Sequence, residues 1–332
     1  MVATTTIFRL KKTNRPQIST PKTNSVKSHS KYFRISLTNK CNLNCYFCHN
    51  EGQKKTGIST NLSCEEIIWV SNIAKGMGYT KFKLTGGEPT LHPEILSIVK
   101  GINNLNVDDL SMITNGYKLF DIAKELKENG LHRLNVSLYT LNPIKFAVKN
   151  KGTETMLKKV VAGIDKALKV GYNNLKINYV WDGEDNLQDF LDICEFAKSR
   201  NITIVLLPII DNKKSEIIEL SSLFYKLSLI GIREEKKVID NEGIVKNLIT
   251  LINGAKVLIR VEELKDKLPY NMCDNCTNKT ECREGIFPTR LSSSGKLLPC
   301  LANDTYSFDI LEDIKNRNSN KIVKAINYIR SL

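Results

Sequence analysis

From residue 32 onward, short apolar runs alternate with longer amphipathic stretches. Phe33–Thr38, Lys81–Thr85, Leu110–Thr114, Arg133–Leu138, Lys176–Val180 and Ile202–Leu207 have the length and composition of strands. Between them the apolar spacing predicts helices near 64–77, 93–103, 118–129, 154–170 and 187–199. Ser63, with Glu66 three residues later, forms a capping box for the first helix. Strand–helix units repeated in this way predict an α/β fold with a parallel sheet and helices outside. Right-handed crossovers would curl it into a complete or partial barrel. After about residue 212 the alternation stops. Residues 213–270 read as mostly helical and polar, and 271–301 are rich in cysteine. Leu291–Leu298, with Ser294-Gly295 in the middle, reads as a hairpin. The expected organisation is a disordered tail over 1–31, a core over 32–212 and a C-terminal domain over 213–332.

The chain has 332 residues, 41% of them hydrophobic, which is enough for a large core and a smaller appendage. The longest apolar run, Ile204–Ile210, is broken by Pro208 and suits a buried strand. It is far short of the roughly 18 residues that span a bilayer, so no membrane role is expected. The start of the chain has no apolar signal core, and the expected location is cytoplasmic. Net charge is +14. Lys is spread throughout, so a solvated basic surface explains most of that charge without nucleic acid. The first 31 residues hold seven Lys and Arg, no Asp or Glu, and many Ser and Thr, the composition of a disordered tail.

Nine cysteines change the picture, because they cluster. Three lie within 41–48 and four within 273–300, while Cys64 at a helix start and Cys194 on an apolar helix face stand alone and read as packing residues. Clustered cysteines in an intracellular enzyme point to metal before disulfides. Directly after the first strand the chain reads Thr38-Asn39-Lys40-Cys41-Asn42-Leu43-Asn44-Cys45-Tyr46-Phe47-Cys48-His49. Three thiolates at this spacing can hold three irons of a [4Fe–4S] cube and leave the fourth open to a reacting ligand. Zinc is the alternative, but it wants a fourth donor, and His49 adjoins Cys48 too closely to chelate well.

C-x3-C-x2-C with an aromatic before the last cysteine resembles the radical S-adenosylmethionine (radical SAM) superfamily. The resemblance continues at Thr85-Gly86-Gly87-Glu88-Pro89 after the second strand, at Thr114-Asn115-Gly116, and at Asn135-Val136-Ser137-Leu138. It covers about residues 32–212. It implies a partial (β/α)6 barrel, a catalytic [4Fe–4S] cluster on Cys41, Cys45 and Cys48, and SAM bound by Phe47, Gly86, Gly87, Glu88, Pro89, Thr114, Asn115 and Ser137. Glu88 would pair with the SAM ammonium. The implied chemistry is reductive cleavage of SAM to a 5′-deoxyadenosyl radical that takes hydrogen from a substrate. A one-electron donor such as flavodoxin or ferredoxin is the implied partner.

The second cluster comprises Cys273, Cys276, Cys282 and Cys300, the last preceded by Arg290 and the Ser294-Gly295 turn. A C-x2-C pair with further cysteines suits a second, auxiliary [4Fe–4S] cluster or a structural zinc. This segment and the Phe33–Thr38 strand resemble the GTP 3′,8-cyclase family of molybdenum-cofactor biosynthesis. By that resemblance Arg34, Lys81, Lys83, Lys176 and Arg290 would contact a nucleotide. The chain departs from that family in the extra Cys282, in the long spacing from Cys276 to Cys300, in Val205-Leu206-Leu207-Pro208 at a strand end, in Pro288 at the position of an arginine, and in its ending, Arg330-Ser331-Leu332. The insert carrying Cys282 is similar to the SPASM/Twitch group, whose members modify peptides and natural products. Three functions are therefore in play: a nucleotide cyclase, a radical SAM maturase of a peptide or metabolite, and a non-catalytic metal-binding module. The last leaves the glycine motif and the barrel pattern unexplained.

Overall fold

The structure, a computed structural model, describes residues 31–52, 61–183, 186–208, 227–228, 230–239, 245–260, 288–301 and 305–332. Strands β1 (Tyr32–Ser36), β2 (Lys81–Thr85), β3 (Asp109–Thr114), β4 (Arg133–Ser137), β5 (Lys176–Trp181) and β6 (Thr203–Pro208) lie side by side in chain order. Each is parallel to the next. The crossovers carry α1 (Cys64–Gly76), α2 (Ile95–Asn103), α3 (Leu119–Glu128), α4 (Pro143–Asn150) with α5 (Glu154–Lys169), and α6 (Leu187–Lys198). This is the expected α/β fold, a partial (β/α)6 barrel. The Ser63–Glu66 capping box starts α1 as the sequence implies. Helix α4 is an addition: Asn142 caps it by accepting from Ile144 N and Lys145 N, and Pro143 fills its first position.

The later chain extends both edges of the same sheet. On one side β9 (Lys256–Arg260) runs parallel to β6 and continues into antiparallel β8 (Val245–Leu251) and β7 (Ile232–Ile239). On the other, β10 (Thr289–Leu291) runs parallel to β1 and continues into β11 (Lys296–Leu298) and β12 (Phe308–Asp309). Two helices, α7 (Leu311–Lys315) and α8 (Ser319–Ser331), end the chain. The hairpin at Leu291–Leu298 is present, and Gly295 takes its positive φ. The mostly helical reading of 213–270 is corrected at 232–239, 245–251 and 256–260, which form strands. The charged run Arg233-Glu234-Glu235-Lys236-Lys237 is exposed on an edge strand, where charge discourages pairing with other chains. Its polarity hides the strand from a reading based on apolar runs. The 1–31 tail lies, up to residue 30, outside the described residues. Among the described residues no helix is long and apolar enough to cross a membrane.

The inner strands alternate in a way that positions a site. Phe33, Ile35, Phe82, Leu84, Leu110, Met112, Leu134, Val136, Ile177 and Ile204 face the helices and are fully buried. The intervening positions include Arg34, Ser36, Lys83, Thr85, Ser111, Asn135, Ser137, Lys176, Asn178 and Thr203, with Ile113, Val180 and Val205 among them. A closed (β/α) barrel fills its interior with branched apolar side chains, and strands buried on both faces read as continuous hydrophobic runs. Here the inner face is largely polar, which suits a bound ligand.

The N-terminal end of this inner face is tied by a buried ion pair. Arg133 donates Nε to Asp109 Oδ1 at 2.7 Å and Nη2 to Asp109 Oδ2 at 2.5 Å, and Tyr32 Oη donates to Asp109 Oδ2 at 3.1 Å. Burial pushes the Asp109 carboxyl up, but the hydrogen bonds and charge of Arg133 outweigh it and hold it below the usual range. Asp109→Asn should cost about 3 kcal/mol, because it leaves Arg133 buried without its partner. With the native pKa depressed, that stabilisation is present above the unfolded value near 3.9 and is lost as pH falls through the native value. The gap in urea midpoint between wild type and variant should therefore be full at pH 7 and narrow below about pH 4.

Candidate active site

The cysteine loop leaves the C-terminal end of β1. Cys41 and Cys48 are exposed and Cys45 is half-buried. Each sulfur accepts an amide hydrogen: Cys41 from Leu43 N at 3.4 Å, Cys48 from Asn50 N at 3.4 Å, and Cys45 from Nδ2 of Asn150 at 3.1 Å. Amide donors on sulfur favour the thiolate, the form that binds metal. Burial pushes the Cys45 thiol up to about 11, against the Asn150 hydrogen bond, and the other two cysteines raise it further. Metal binding must therefore displace a proton here. Three thiols on one loop, each with an amide donor on its sulfur, suit a [4Fe–4S] cube, which places each thiolate on its own iron.

Gly86 and Gly87 pack onto this loop. Gly87 N donates to Thr38 O at 2.6 Å and Glu88 N to Lys40 O at 2.8 Å. A Cβ at Gly86 would lie 2.5 Å from Thr38 O, and one at Gly87 would lie 2.2 Å from Lys40 O. Both obstacles are backbone, so the two glycines serve contact with the cysteine loop itself. Gly87→Ala should push the loops apart. We expect the variant to retain its fold by circular dichroism and to lose about four irons and four sulfides per chain after reconstitution, read by iron and sulfide analysis.

Glu88 is buried, and its carboxylate accepts four hydrogen bonds from within the chain. Oε1 accepts from Thr90 N at 3.1 Å, Thr90 Oγ1 at 2.5 Å and Thr114 Oγ1 at 2.6 Å, while Oε2 accepts from Asn115 N at 2.6 Å. Burial pushes the carboxyl above the usual range, against the pull of these donors. The side chain that the family resemblance aims at an ammonium ties the end of β2 to the end of β3. Asn115 in turn donates Nδ2 to Asn42 Oδ1 at 2.8 Å, linking β3 to the cysteine loop. Pro89 is buried and opens a 3-10 turn over Pro89–Leu91. Phe47 stacks edge-on against Tyr139 at 4.6 Å, and Tyr139 shares a hydrogen bond with Ser137. Phe47, the Gly86–Pro89 loop, Thr114–Asn115 and Ser137 therefore all gather at the C-terminal ends of β1–β4.

Below them lies a cationic row. Arg34 is in register with Lys83 on β2 and with Arg290 on β10, so the three share the inner face on adjacent strands. Lys81 lies one step nearer the strand start; its Nζ and that of Lys83 sit over the Tyr32 ring at 5.7 and 5.0 Å. Lys176, in register with Asn135 and Thr203, is on the same inner face but three strands from Lys83, and does not join the row. Glu51, in the left-handed region at φ 53, sits at this row. It accepts from Arg34 Nη2 at 2.6 Å and from Thr85 Oγ1 at 2.9 Å. Burial raises its carboxyl, but Arg34, His49 and Arg290 together bring it below the usual range. Arg290 Nη1 donates to Pro288 O at 3.3 Å and Pro299 O at 3.2 Å. Glu51 and Asn150 escape sequence reasoning, although Glu51, three residues past the last cysteine of the loop, is a signal within reach. Cys300 is buried after β11. Cys273, Cys276 and Cys282 lie outside the described residues. Cys64 and Cys194 are buried in the core.

Residues 35–197 match the model of the Radical SAM superfamily. A protein of Methanocaldococcus jannaschii named probable GTP 3′,8-cyclase is 32% identical over 282 residues, 85% of this chain and 88% of that protein. One of the same name from Sulfolobus acidocaldarius is 34% identical over 86% of each chain. The chain belongs to the radical SAM superfamily. As a radical SAM enzyme it uses a [4Fe–4S] cluster and SAM, and it is similar over most of its length to proteins named probable GTP 3′,8-cyclase. Among solved structures, anSMEcpe with bound AdoMet superposes with a TM-score of 0.57 at 16% identity, over 87% of this chain and 81% of that one. Streptococcus suis SuiB bound to its precursor peptide SuiA gives 0.57 at 16%, over 86% of this chain and 65% of that one. At such identities the likeness is one of radical SAM fold.

Proposed function

We propose that this radical SAM enzyme acts on GTP and joins its C3′ and C8, as the name of its relatives describes. The observation that carries the reading is the row Lys83–Arg34–Arg290, in register on three adjacent strands of the inner face. Three cations side by side in a partly buried site suit a triphosphate, and guanidinium forks match phosphate oxygens.

In this reading Cys41, Cys45 and Cys48 hold the catalytic cluster, and Phe47, Gly86, Gly87, Glu88, Pro89, Thr114, Asn115 and Ser137 make the SAM site. Glu88, its carboxylate aimed at the SAM ammonium, also fixes Thr114 and Asn115. When bound, the cluster and SAM supply the reductive cleavage that yields a 5′-deoxyadenosyl radical. The chain's own contribution is position: the strand ends hold SAM beside the cysteine loop, and the cationic row holds the nucleotide phosphates deeper on the inner face. Residues 32–212 serve as the core. The region 213–332 carries a second [4Fe–4S] cluster on Cys273, Cys276, Cys282 and Cys300 and supplies Arg290. The enzyme works in the cytoplasm with a flavodoxin or ferredoxin as one-electron donor. The test is anaerobic incubation of the reconstituted enzyme with SAM, reductant and GTP. GTP consumption should match 5′-deoxyadenosine release. Release that is indifferent to GTP would overturn the proposal.

A further inference from the structure

Helix α4 ends against the cysteine loop. The last carbonyls of a helix have no partners within it. Here Asn150 O accepts from Asn44 N at 3.0 Å and Lys149 O accepts from Tyr46 N at 3.2 Å. Cys45 is the residue between those two donors. Its sulfur accepts from Nδ2 of Asn150 at 3.1 Å. That is shorter than the contacts to Cys41 from Leu43 N at 3.4 Å and Asn115 Nδ2 at 3.9 Å, and to Cys48 from Asn50 N at 3.4 Å. Asn150 is 2% exposed, and its Oδ1 has no hydrogen-bond partner among the described residues. A buried amide oxygen left unpaired costs about 1–3 kcal/mol, so packing alone does not account for an amide there. The turn beyond the helix is also tight: a Cβ at Gly152 would lie 2.3 Å from the Phe146 ring and 3.1 Å from Leu43. Lys149 bridges Asp182 at 3.3 Å and Asp189 at 3.6 Å, anchoring the helix end on the opposite side.

We propose that Asn150 is a positioning residue that tunes the catalytic cluster: its side-chain N–H, held on the Cys45 thiolate, raises the cluster's reduction potential. Reduction adds negative charge to the iron and its sulfurs. An N–H dipole fixed on a ligating sulfur stabilises that added charge, and hydrogen bonds to sulfur are among the factors that set iron–sulfur potentials. Asn is neutral, so the effect does not titrate. The amide is fixed by the helix end that also clamps Asn44 and Tyr46, so it needs no rearrangement when the electron arrives. The inference rests on the assignment of the cluster to Cys41, Cys45 and Cys48, not on the substrate.

The test is a redox titration followed by electron paramagnetic resonance, on wild type, Asn150→Leu and Asn150→Ala. Leu keeps the volume and loses the donor; Ala loses both. The signal of the variant with Ala at all three loop cysteines is subtracted to remove any other iron–sulfur centre. Both Asn150 variants should keep wild-type iron and sulfide. At the wild-type midpoint their ratio of reduced to oxidised cluster should fall about tenfold, or about 59 mV for a one-electron couple. An unchanged midpoint in both variants, or loss of the cluster from both, would overturn the proposal and leave Asn150 a packing residue. A triple-cysteine variant with its full iron content would instead overturn the cluster assignment, and this inference with it.

Discussion

Replacing Cys41, Cys45 and Cys48 together by Ala is expected to abolish production of 5′-deoxyadenosine from SAM and to remove about four irons per chain. The loop offers no substitute ligands. Asn42 and Asn44 carry amides, and His49 lies just past the last cysteine, where it cannot replace three thiolates. The fold should survive, because Cys41 and Cys48 are exposed and the loop's anchors are elsewhere: Asn44 and Tyr46 on α4, Thr38 and Lys40 on Gly87 and Glu88. Iron and sulfide analysis, the visible spectrum and a SAM-cleavage assay on the reconstituted variant check this. Turnover of SAM by the triple variant would refute the assignment.

The barrel was legible because its strands and helices obey local rules. Apolar runs of strand length, helical spacing and one capping box located β1–β6 and five of the six helices between them to within a few residues. Helix α4 was not found. Its start is marked by Asn142-Pro143, but Ile144 and Val148, four residues apart, are exposed, so its apolar residues do not mark a buried face. The strands of 232–260 were misread because exposed, charged edge strands resemble polar helices in composition. Motif spacing located the cysteine loop and the glycine loop. It could not show that Gly86 and Gly87 are demanded by the backbone at Thr38 and Lys40, because contacts across 47 and 48 positions depend on the folded sheet. Nor could it show that Arg34, Lys83 and Arg290 align. The alternation Phe33-Arg34-Ile35-Ser36 against Phe82-Lys83-Leu84-Thr85 does record a polar inner face, but register is a property of pairing.

Arg290→Ala is expected to raise the KM for GTP about 10- to 100-fold, the loss of a charge-assisted contact worth about 1.5–3 kcal/mol. The KM for SAM should move much less, because Phe47, Gly87 and Asn115 lie at the strand ends and Arg290 lies deeper, level with Arg34. Arg34 is the poorer site for this test. Its loss would leave Glu51 buried without its 2.6 Å partner, and the cost of an unpaired carboxylate would mix folding with binding. Arg290 contacts Glu51 only through space, and its own Nη1 is aligned by the Pro288 and Pro299 carbonyls. Those carbonyls orient the guanidinium plane, so Arg290→Lys should recover only part of the affinity: it restores charge but not the fork. Lys83→Ala, on the other flank of Arg34, provides an independent reading of the same row. Steady-state kinetics with each nucleotide concentration series decide the matter. If the KM for GTP is unmoved in both Arg290→Ala and Lys83→Ala, the row serves the sheet rather than a triphosphate, and the substrate lies elsewhere on the inner face.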